Sequence, residues 1–228
     1  MANLYHVLLY QPLVNALVFL YNSVAFGDLG VAIVILTIAT RLLFFPLFQQ
    51  MMRQQAILQK LKPEIDKIEK EFKGDPEKKG RAQMALYKEH KVNPFSMIFV
   101  LILQVIILIP LFQIFHGAPG TLAAKELYSF ITAPEVFNHS FLGLIDLKAQ
   151  SIILIVLASI FQLAQGYLSL AIQKNPAPGS RQMTLIAPVI IIAVLWTSPA
   201  AVWLYLLASN IFSLGQQIIV NRELTAQK

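Results

Sequence analysis

Four long segments that are almost free of charge decide what this chain can fold into. They are residues 29–48, 94–115, 151–172 and 183–220. Each of the first three is about as long as a helix that crosses a bilayer, roughly 20 residues. The fourth is about twice that length and contains the turn-forming pair Ser198-Pro199 near its centre, so we interpret it as two shorter helices. The pattern predicts an all-α integral membrane protein with five transmembrane helices.

The basic residues predict how these helices are oriented. Of the 18 Lys and Arg residues, 11 lie between Arg53 and Lys91, and Lys174 and Arg181 lie between the third and fourth apolar segments. Loops rich in Lys and Arg face the cytoplasm. We therefore expect these two loops and the C-terminus in the cytoplasm and the N-terminus outside. The net charge of +6 follows from this distribution, and we expect no direct nucleic-acid recognition.

The expected organisation is one membrane domain with an N-terminal interfacial helix. Residues 4–24 are apolar, but Gln11, Pro12 and Asn15 interrupt them and no basic residue precedes them, which favours a helix on the outer leaflet over a sixth span. The expected boundaries are 1–28 for this extracytoplasmic helix, 29–49 for the first span, 50–93 for a cytoplasmic helical hairpin, 94–116 for the second span, 117–149 for an extracytoplasmic loop, 150–172 for the third span, 173–182 for a cytoplasmic loop, 183–198 and 199–220 for the last two spans, and 221–228 for the cytoplasmic tail.

The hairpin is predicted from a helical stripe that a turn interrupts. Apolar residues recur every three or four positions from Ile57 to Phe72. Gly74-Asp75-Pro76 ends this stripe, and a second helix is expected from Glu77 to about residue 90. The remaining face is rich in Lys and Glu, which indicates either a solvated surface or a docking arm for a cytoplasmic partner.

Arg41, inside the first predicted span, is the residue that points most directly to function. It lies about eight residues before the end of that span, which corresponds to a depth of roughly 12 Å. One alternative is that the side chain reaches the bilayer surface by snorkelling. However, Thr37 makes the same helix face polar, and no predicted span contains an Asp or Glu. An intramembrane Arg usually faces a protein interior or water, so we expect Arg41 to be hydrated.

Polar residues at comparable depth extend this expectation to the other spans. They are Gln104 in the second span, Gln162 in the third, and Ser209 and Asn210 in the fifth. Together with Arg41 they predict a water-filled cavity that opens to the cytoplasm and gives polar or acidic groups of another protein a temporary site. The alternative for Gln104 and Asn210 is a hydrogen bond between packed helices.

Several classes of chemistry are not indicated by the sequence. There is no cysteine, and we find no His-Glu-x-x-His, Gly-x-Ser-x-Gly or P-loop motif. The four histidines have no metal-ligand spacing. We therefore expect no catalytic residues, no metal and no cofactor. Trp196, Trp203 and Tyr205 are interpreted as aromatic belt residues near the outer interface.

The chain resembles the YidC/Oxa/Alb membrane-protein insertase family from about residue 10 to residue 222, in its short form without a large outer domain. The matching segments occur in one order and spacing. They are TIATRLLFFPL around Arg41, QKLKPEIDKIEKEFK and ALYKEHKVNPF in the hairpin, LILQVIILIPLF around Gln104, LGLIDL before the third span, and RQMTLIAPVII and SPAAVWLYLLASNIFSLGQQIIVNR in the last two.

The resemblance implies five helices around a hydrophilic groove that is lined by Arg41 and Gln104 and is open to the cytoplasm and the lipid. It also implies a mobile hairpin needed for insertion, a bacterial plasma-membrane location, and nascent membrane proteins as clients, received from the ribosome or the Sec translocon. The family often has Trp where this chain has Leu206. Trp203, one turn earlier, is the candidate groove residue in its place.

Three functions follow as hypotheses. The first is a membrane-protein insertase without enzymatic activity. The second is a small anion channel or transporter that uses Arg41 as its selectivity charge, and the third is an assembly factor whose groove holds a partner helix.

Overall fold

The computed structural model describes residues 5–93, 104–105, 108–109, 126–134, 136–171 and 180–226. Most of the predicted second span and of the 173–182 loop lies outside these residues. The helices are α1 (Gln11–Ser23, preceded by the π-helical segment His6–Tyr10), α2 (Leu29–Leu43), α3 (Phe45–Glu71), α4 (Pro76–Glu89), α5 (Ile152–Leu170), α6 (Ser180–Leu195) and α7 (Ala200–Ala226), and two short strands, β1 (Ser140–Phe141) and β2 (Ile145–Asp146), form a hairpin. Residues 104–105 and 108–109 are also helical. The described chain is therefore mostly helical, as predicted.

Two of the described helices are long and apolar enough to cross a membrane. They are α5 and the part of α7 from Ala200 to Glu223, and a third span results if α2 and α3, which are bent by 72° at their junction, count as one. The predicted spans 150–172 and 199–220 coincide with the first two. Helix α6, at 16 residues, is shorter than the roughly 20 residues of a typical span.

The core is built around α7, which packs against α5 on one side and α2 on another. Helices α5 and α7 run in the same direction. At their beginnings, Ala200 N donates to the Ala149 carbonyl at 2.8 Å, and near their ends Asn221 Nδ2 donates to the Leu168 carbonyl at 2.7 Å. Since parallel neighbours need a returning segment between them, α6, which packs on α5, carries the chain back.

The sequence predicted a first span over residues 29–49. The structure differs, because the first apolar segment does not form one continuous helix over that range. Helix α2 ends at Leu43, and α3 leaves at an angle of 72°. The physical cause is Pro46 at the start of α3, because proline provides no backbone N–H and disfavours helical geometry in the residue before it. Arg41 therefore lies two residues from the end of its helix rather than eight.

Helices α3 and α4 form the predicted antiparallel hairpin. Leu61, Ile65, Leu86 and Val92 form its buried core, and Lys79 pairs with Glu69 across it at 3.0 Å. Residues 45–59 of α3, which we call the hairpin root, are also attached to the transmembrane helices. Arg53 Nε donates to Glu223 Oε2 at 2.9 Å, and the Ser169 hydroxyl donates to Gln59 Oε1 at 3.0 Å.

Helix α1 lies along residues 126–138. Asn15 donates from Nδ2 to the Glu126 carbonyl at 2.8 Å and accepts from Tyr128 N at 2.7 Å. Two turns further on, the Tyr21 hydroxyl accepts from Asn138 N at 2.9 Å. Asn15 and Tyr21 thus bind α1 to the segment that precedes the strands.

Asp28 joins the start of α2 to the β-hairpin. Its Oδ1 accepts from Val31 N at 2.9 Å and caps α2, while its Oδ2 accepts from Leu142 N, in the turn between β1 and β2, at 2.6 Å. Phe141 of β1 lies directly against Gly30, where a Cβ atom would come within 2.6 Å of the Phe141 Cβ. The hairpin is therefore fixed at the end of the bundle where α2 begins.

Candidate functional site

Arg41 lies inside the protein, where three parts of the chain meet. Its side chain is buried, with 6% of the residue exposed. Nη2 donates to Gln104 Oε1 at 3.0 Å, and Cζ lies 4.3 Å from the centroid of the Phe48 ring. Arg41 lies at the end of α2, Phe48 lies near the start of α3, and Gln104 belongs to the predicted second span. This burial disfavours the snorkelling alternative, because a snorkelling side chain would leave the protein interior, and the hydration of Arg41 stays a prediction.

The positive charge is compensated by dipoles. Among the described residues, no carboxylate forms an ion pair with Arg41. An amide oxygen and the negative face of an aromatic ring each carry only partial charge. A buried ion without an opposite full charge is costly, so this site favours any acidic group that can reach it.

Thr37 and Thr40 extend the polar face of α2 beside Arg41, and both are buried. Their hydroxyl hydrogens are used within the helix. Thr37 Oγ1 donates to the Ile33 carbonyl at 2.6 Å, and Thr40 Oγ1 donates to the Thr37 carbonyl at 2.9 Å. Since a hydroxyl that donates still has lone pairs to accept, Thr37 presents a hydrogen-bond acceptor to this part of the interior.

One face of α7 brings further polar groups to the Arg41 side of the bundle. Tyr205, Ser209 and Gln216 are spaced as i, i+4 and i+11, which places them on one stripe, and all three are buried. Phe212, two turns after Tyr205 on the same stripe, contacts Phe45 at the start of α3, with ring centroids 6.4 Å apart. Both polar atoms of the Gln216 side chain are buried without a hydrogen-bond partner among the described residues.

Gln162, Asn210 and Trp203 are placed elsewhere, at the interface of α5 and α7. Asn210 Nδ2 donates to the Ala158 carbonyl at 3.0 Å, and Gln162, half-buried, follows Ala158 by one turn. Trp203 precedes Asn210 by two turns on the same stripe and is 1% exposed, and its Nε1 has no hydrogen-bond partner in the described part of the chain. The predicted site residues therefore form two groups on different sides of α7.

Sequence reasoning missed two contributors to the Arg41 group and misread a third. Phe48 was outside the predicted cavity because the break at Phe44 was not foreseen, although Pro46 signals it. Gln216 was not counted among the cavity residues. Tyr205, like Trp203, was assigned to an aromatic belt, but both side chains are 1% exposed and therefore face the protein interior. Trp196, at 49% exposed, is the belt candidate that faces outward.

Long apolar helices packed around a buried, dipole-compensated arginine define a helical membrane protein with a polar interior. No group of acidic or histidine residues that could hold a metal ion occurs among the described residues. The family described as "60Kd inner membrane protein" matches residues 19–227, and this chain belongs to that family.

Three relatives are each named membrane protein insertase YidC. The protein from Clostridium tetani is 32% identical over 194 residues, which cover 85% of this chain and 81% of the relative. The protein from Oleidesulfovibrio alaskensis is 32% identical over 91% of this chain and 37% of its own length. The protein from Citrifermentans bemidjiense is 27% identical over 93% of this chain and 36% of its own length. This chain thus spans little more than a third of the two longer relatives.

Proposed function

We propose that this chain is a membrane-protein insertase of the bacterial inner membrane that works without a catalysed covalent reaction. Its family and the names of its relatives support this proposal. The structural observation that carries it is the buried Arg41, which is held by Gln104 and Phe48 and has no carboxylate partner among the described residues.

The proposed topology has five spans, with the N-terminus outside and the C-terminus in the cytoplasm. The parallel directions of α2, α5 and α7 support it. Leu29 and Ala200 share the buried core at one end, and Phe45 stacks edge-on against Phe212 further along, with ring centroids 6.4 Å apart. Three parallel helices require two returning spans, which residues 94–116 and α6 would supply. The basic hairpin then lies on the cytoplasmic side.

The proposed mechanism uses a hydrophilic groove that is open to the cytoplasm. Arg41 attracts an acidic or polar group of the client, which takes the place of Gln104 at the guanidinium. Gln216, whose buried side-chain polar atoms have no partner among the described residues, offers further hydrogen bonds on the Arg41 side of α7. An unpaired buried group of this kind costs about 1–3 kcal/mol, which binding of a polar client segment would offset.

Release of the client is driven by the hydrophobic effect. Transfer of the client helix from the groove into lipid stabilises it by about 0.8 kcal/mol for each buried CH₂ group. The proposed clients are nascent membrane proteins with short translocated tails, received from the ribosome or the Sec translocon. Arg41 attracts the tail of the client, whereas release depends on transfer of the client helix into lipid. The charge of the tail therefore affects capture at Arg41 but not release.

The test measures insertion of a single-span client into liposomes that contain the purified protein. Clients with an acidic tail and with a neutral tail are compared for wild type, Arg41→Lys and Arg41→Ala. We expect Arg41→Ala to slow insertion of the acidic client more than that of the neutral one, and Arg41→Lys to retain most of the difference. Arg81→Ala, at an arginine of α4 whose side chain is 79% exposed, is the matched control.

Two results contradict the proposal. If Arg41→Ala and Arg41→Glu both insert the acidic client at the wild-type rate, the positive charge of Arg41 has no role in insertion. Anion flux that depends on Arg41, together with no insertion, favours the channel hypothesis instead.

A further inference from the structure

Two exposed turns have the same unusual construction. Ala25–Asp28 and Phe141–Leu144 are each closed by a backbone hydrogen bond, at 2.9 and 3.0 Å. In both, the two central residues have positive φ: 52° and 75° at Phe26 and Gly27, and 54° and 70° at Leu142 and Gly143. Turns with positive φ at both centres favour Gly, Asn or Asp. Here a large apolar residue stands at the first centre of each.

These apolar side chains project away from the protein. Phe26 is 96% exposed, Leu142 is 61% exposed, and Leu144, which closes the second turn, is 84% exposed. The other described non-glycine residue with positive φ, Lys91, is polar. The two apolar turns therefore combine an unfavourable backbone geometry with exposure to whatever surrounds this end of the bundle.

The position of the turns identifies what surrounds them. Asp28 binds Leu142 N at 2.6 Å, so the turns are neighbours at the level where α2 begins. Helix α5 begins shortly after β2, and its first residues Ile152 and Ile153 are each 66% exposed on a helix that is apolar enough to cross a membrane. The turns thus lie at the same end of the bundle as the exposed, apolar beginning of α5.

We propose that Phe26, Leu142 and Leu144 form a lipid-inserted rim that anchors this end of the protein in the bilayer leaflet next to it. The occupant of the rim is the lipid acyl and headgroup region, because large apolar side chains gain by leaving water. Asp28, which holds both turns to the cap of α2, fixes their depth relative to the span. The assignment of this leaflet as the outer one rests on the proposed topology, but the rim itself does not.

The experiment uses nitroxide labels, because a chain without cysteine can be labelled at one introduced position. Phe26→Cys and Leu144→Cys proteins are each labelled and placed in phosphatidylcholine and phosphatidylglycerol liposomes without client. Label accessibility is measured to oxygen, which concentrates in lipid, and to a water-soluble nickel chelate present on both sides. Ile153→Cys is the lipid reference. Lys78→Cys, on a hairpin side chain that is 71% exposed, is the water reference.

We expect both turn labels to show an oxygen-to-nickel ratio several-fold above that of the Lys78 label and close to that of the Ile153 label. A ratio matching the Lys78 label overturns the proposal. Shielding of the turn labels from both reagents also overturns it, because a protein partner then covers the rim. Neither measurement involves insertion of a client, so the rim can fail while the insertase function stands. If one labelled protein does not assemble, the other position carries the same test.

Discussion

The Arg41 guanidinium carbon lies 4.3 Å from the centroid of the Phe48 ring, although the two residues belong to helices that meet at 72°. In a straight helix, residues seven apart would lie two turns from each other along the axis. The break at Phe44 instead folds the first turns of α3 back under Arg41. The bend therefore creates the contact that helps to hold a charge inside the protein.

Replacing Phe48 by Leu should lower the free energy of unfolding, because it removes the ring that contacts Arg41 but keeps an apolar side chain. A desolvated cation–π contact contributes about 2 kcal/mol, and we expect a loss of that size in the free energy of unfolding, measured in mixed micelles. Phe19→Leu, at a residue that is 53% exposed, is the control. In an Arg41→Met background the effect of Phe48→Leu should shrink. An unchanged effect there would show that the ring acts by packing alone.

Replacing Gln104 by Glu should impair insertion of clients with acidic tails. The new carboxylate would stand where the Gln104 oxygen now accepts from Arg41 at 3.0 Å, and would neutralise the charge that the client needs. Gln104→Leu leaves that charge without its amide partner and should retain more activity. Insertion rates of the two variants are compared in the same liposome assay. If Gln104→Glu inserts clients with acidic tails as fast as Gln104→Leu or faster, Arg41 does not act by attracting those tails.

Gly30 should not tolerate alanine. An added Cβ would come within 2.6 Å of the Phe141 side chain, and overpacking of this kind costs roughly 1–3 kcal/mol. At Gly80 of α4, an added Cβ would meet no atom within 4 Å, so Gly80→Ala should be neutral or stabilising by up to about 1 kcal/mol. Thermal unfolding in detergent compares the two. Because alanine would keep the Phe141 Cβ, the second-site background is Phe141→Gly. A smaller loss from Gly30→Ala in that background identifies the clash as the cause, and an equal loss would refute it.

The tip of the hairpin should loosen in acid. The side chain of Lys79 lowers the pKa of Glu69, and the backbone N–H of Lys78 lowers the pKa of Asp75. A carboxyl whose pKa is lower in the folded state stabilises that state above its unfolded pKa, near 4, and this contribution disappears as the pH falls through the folded value. Hydrogen-exchange protection of residues 69–80, corrected for intrinsic rates, should therefore fall below about pH 4.

Asp75→Asn is the control for this pH dependence. Asn can still cap α4 but does not titrate, so the variant should lose less protection on acidification than the wild type. An identical pH profile in both proteins would show that the cap carboxylate does not contribute.

The helical membrane fold and the hairpin could be predicted from the sequence because both depend on the spacing of apolar residues. Helices α5 and α7 coincide with two predicted spans, and Leu61 and Ile65 of the predicted stripe are buried in the hairpin. The bend after α2 was missed because hydropathy does not change across it. Apolar residues continue past Phe44, and only Pro46 marks the point at which the helix breaks.

The candidate site was predicted in composition but not in arrangement. Arg41 and Gln104 form a direct contact, which matches the alternative of a hydrogen bond between packed helices, and the water-filled cavity stays a prediction. Asn210 follows Ser209 by one residue, which rotates its side chain by about 100° around the helix, toward α5. Trp203 lies two turns before Asn210 and therefore shares its side of α7. Periodicity assigns residues to stripes, but only packing decides which neighbour each stripe faces.

The contacts of the hairpin root attach the α3–α4 hairpin to the rest of the protein at one end. Arg53 and Gln59 bind Glu223 and Ser169, whereas Leu61 and Ile65, beyond Gln59, are buried in the core of the hairpin. Pro63 lies inside α3 and provides no N–H for the Gln59 carbonyl one turn earlier. We therefore expect a displacement of the tip to bend α3 near residues 59–63 before it moves the helix turns that contact Arg41.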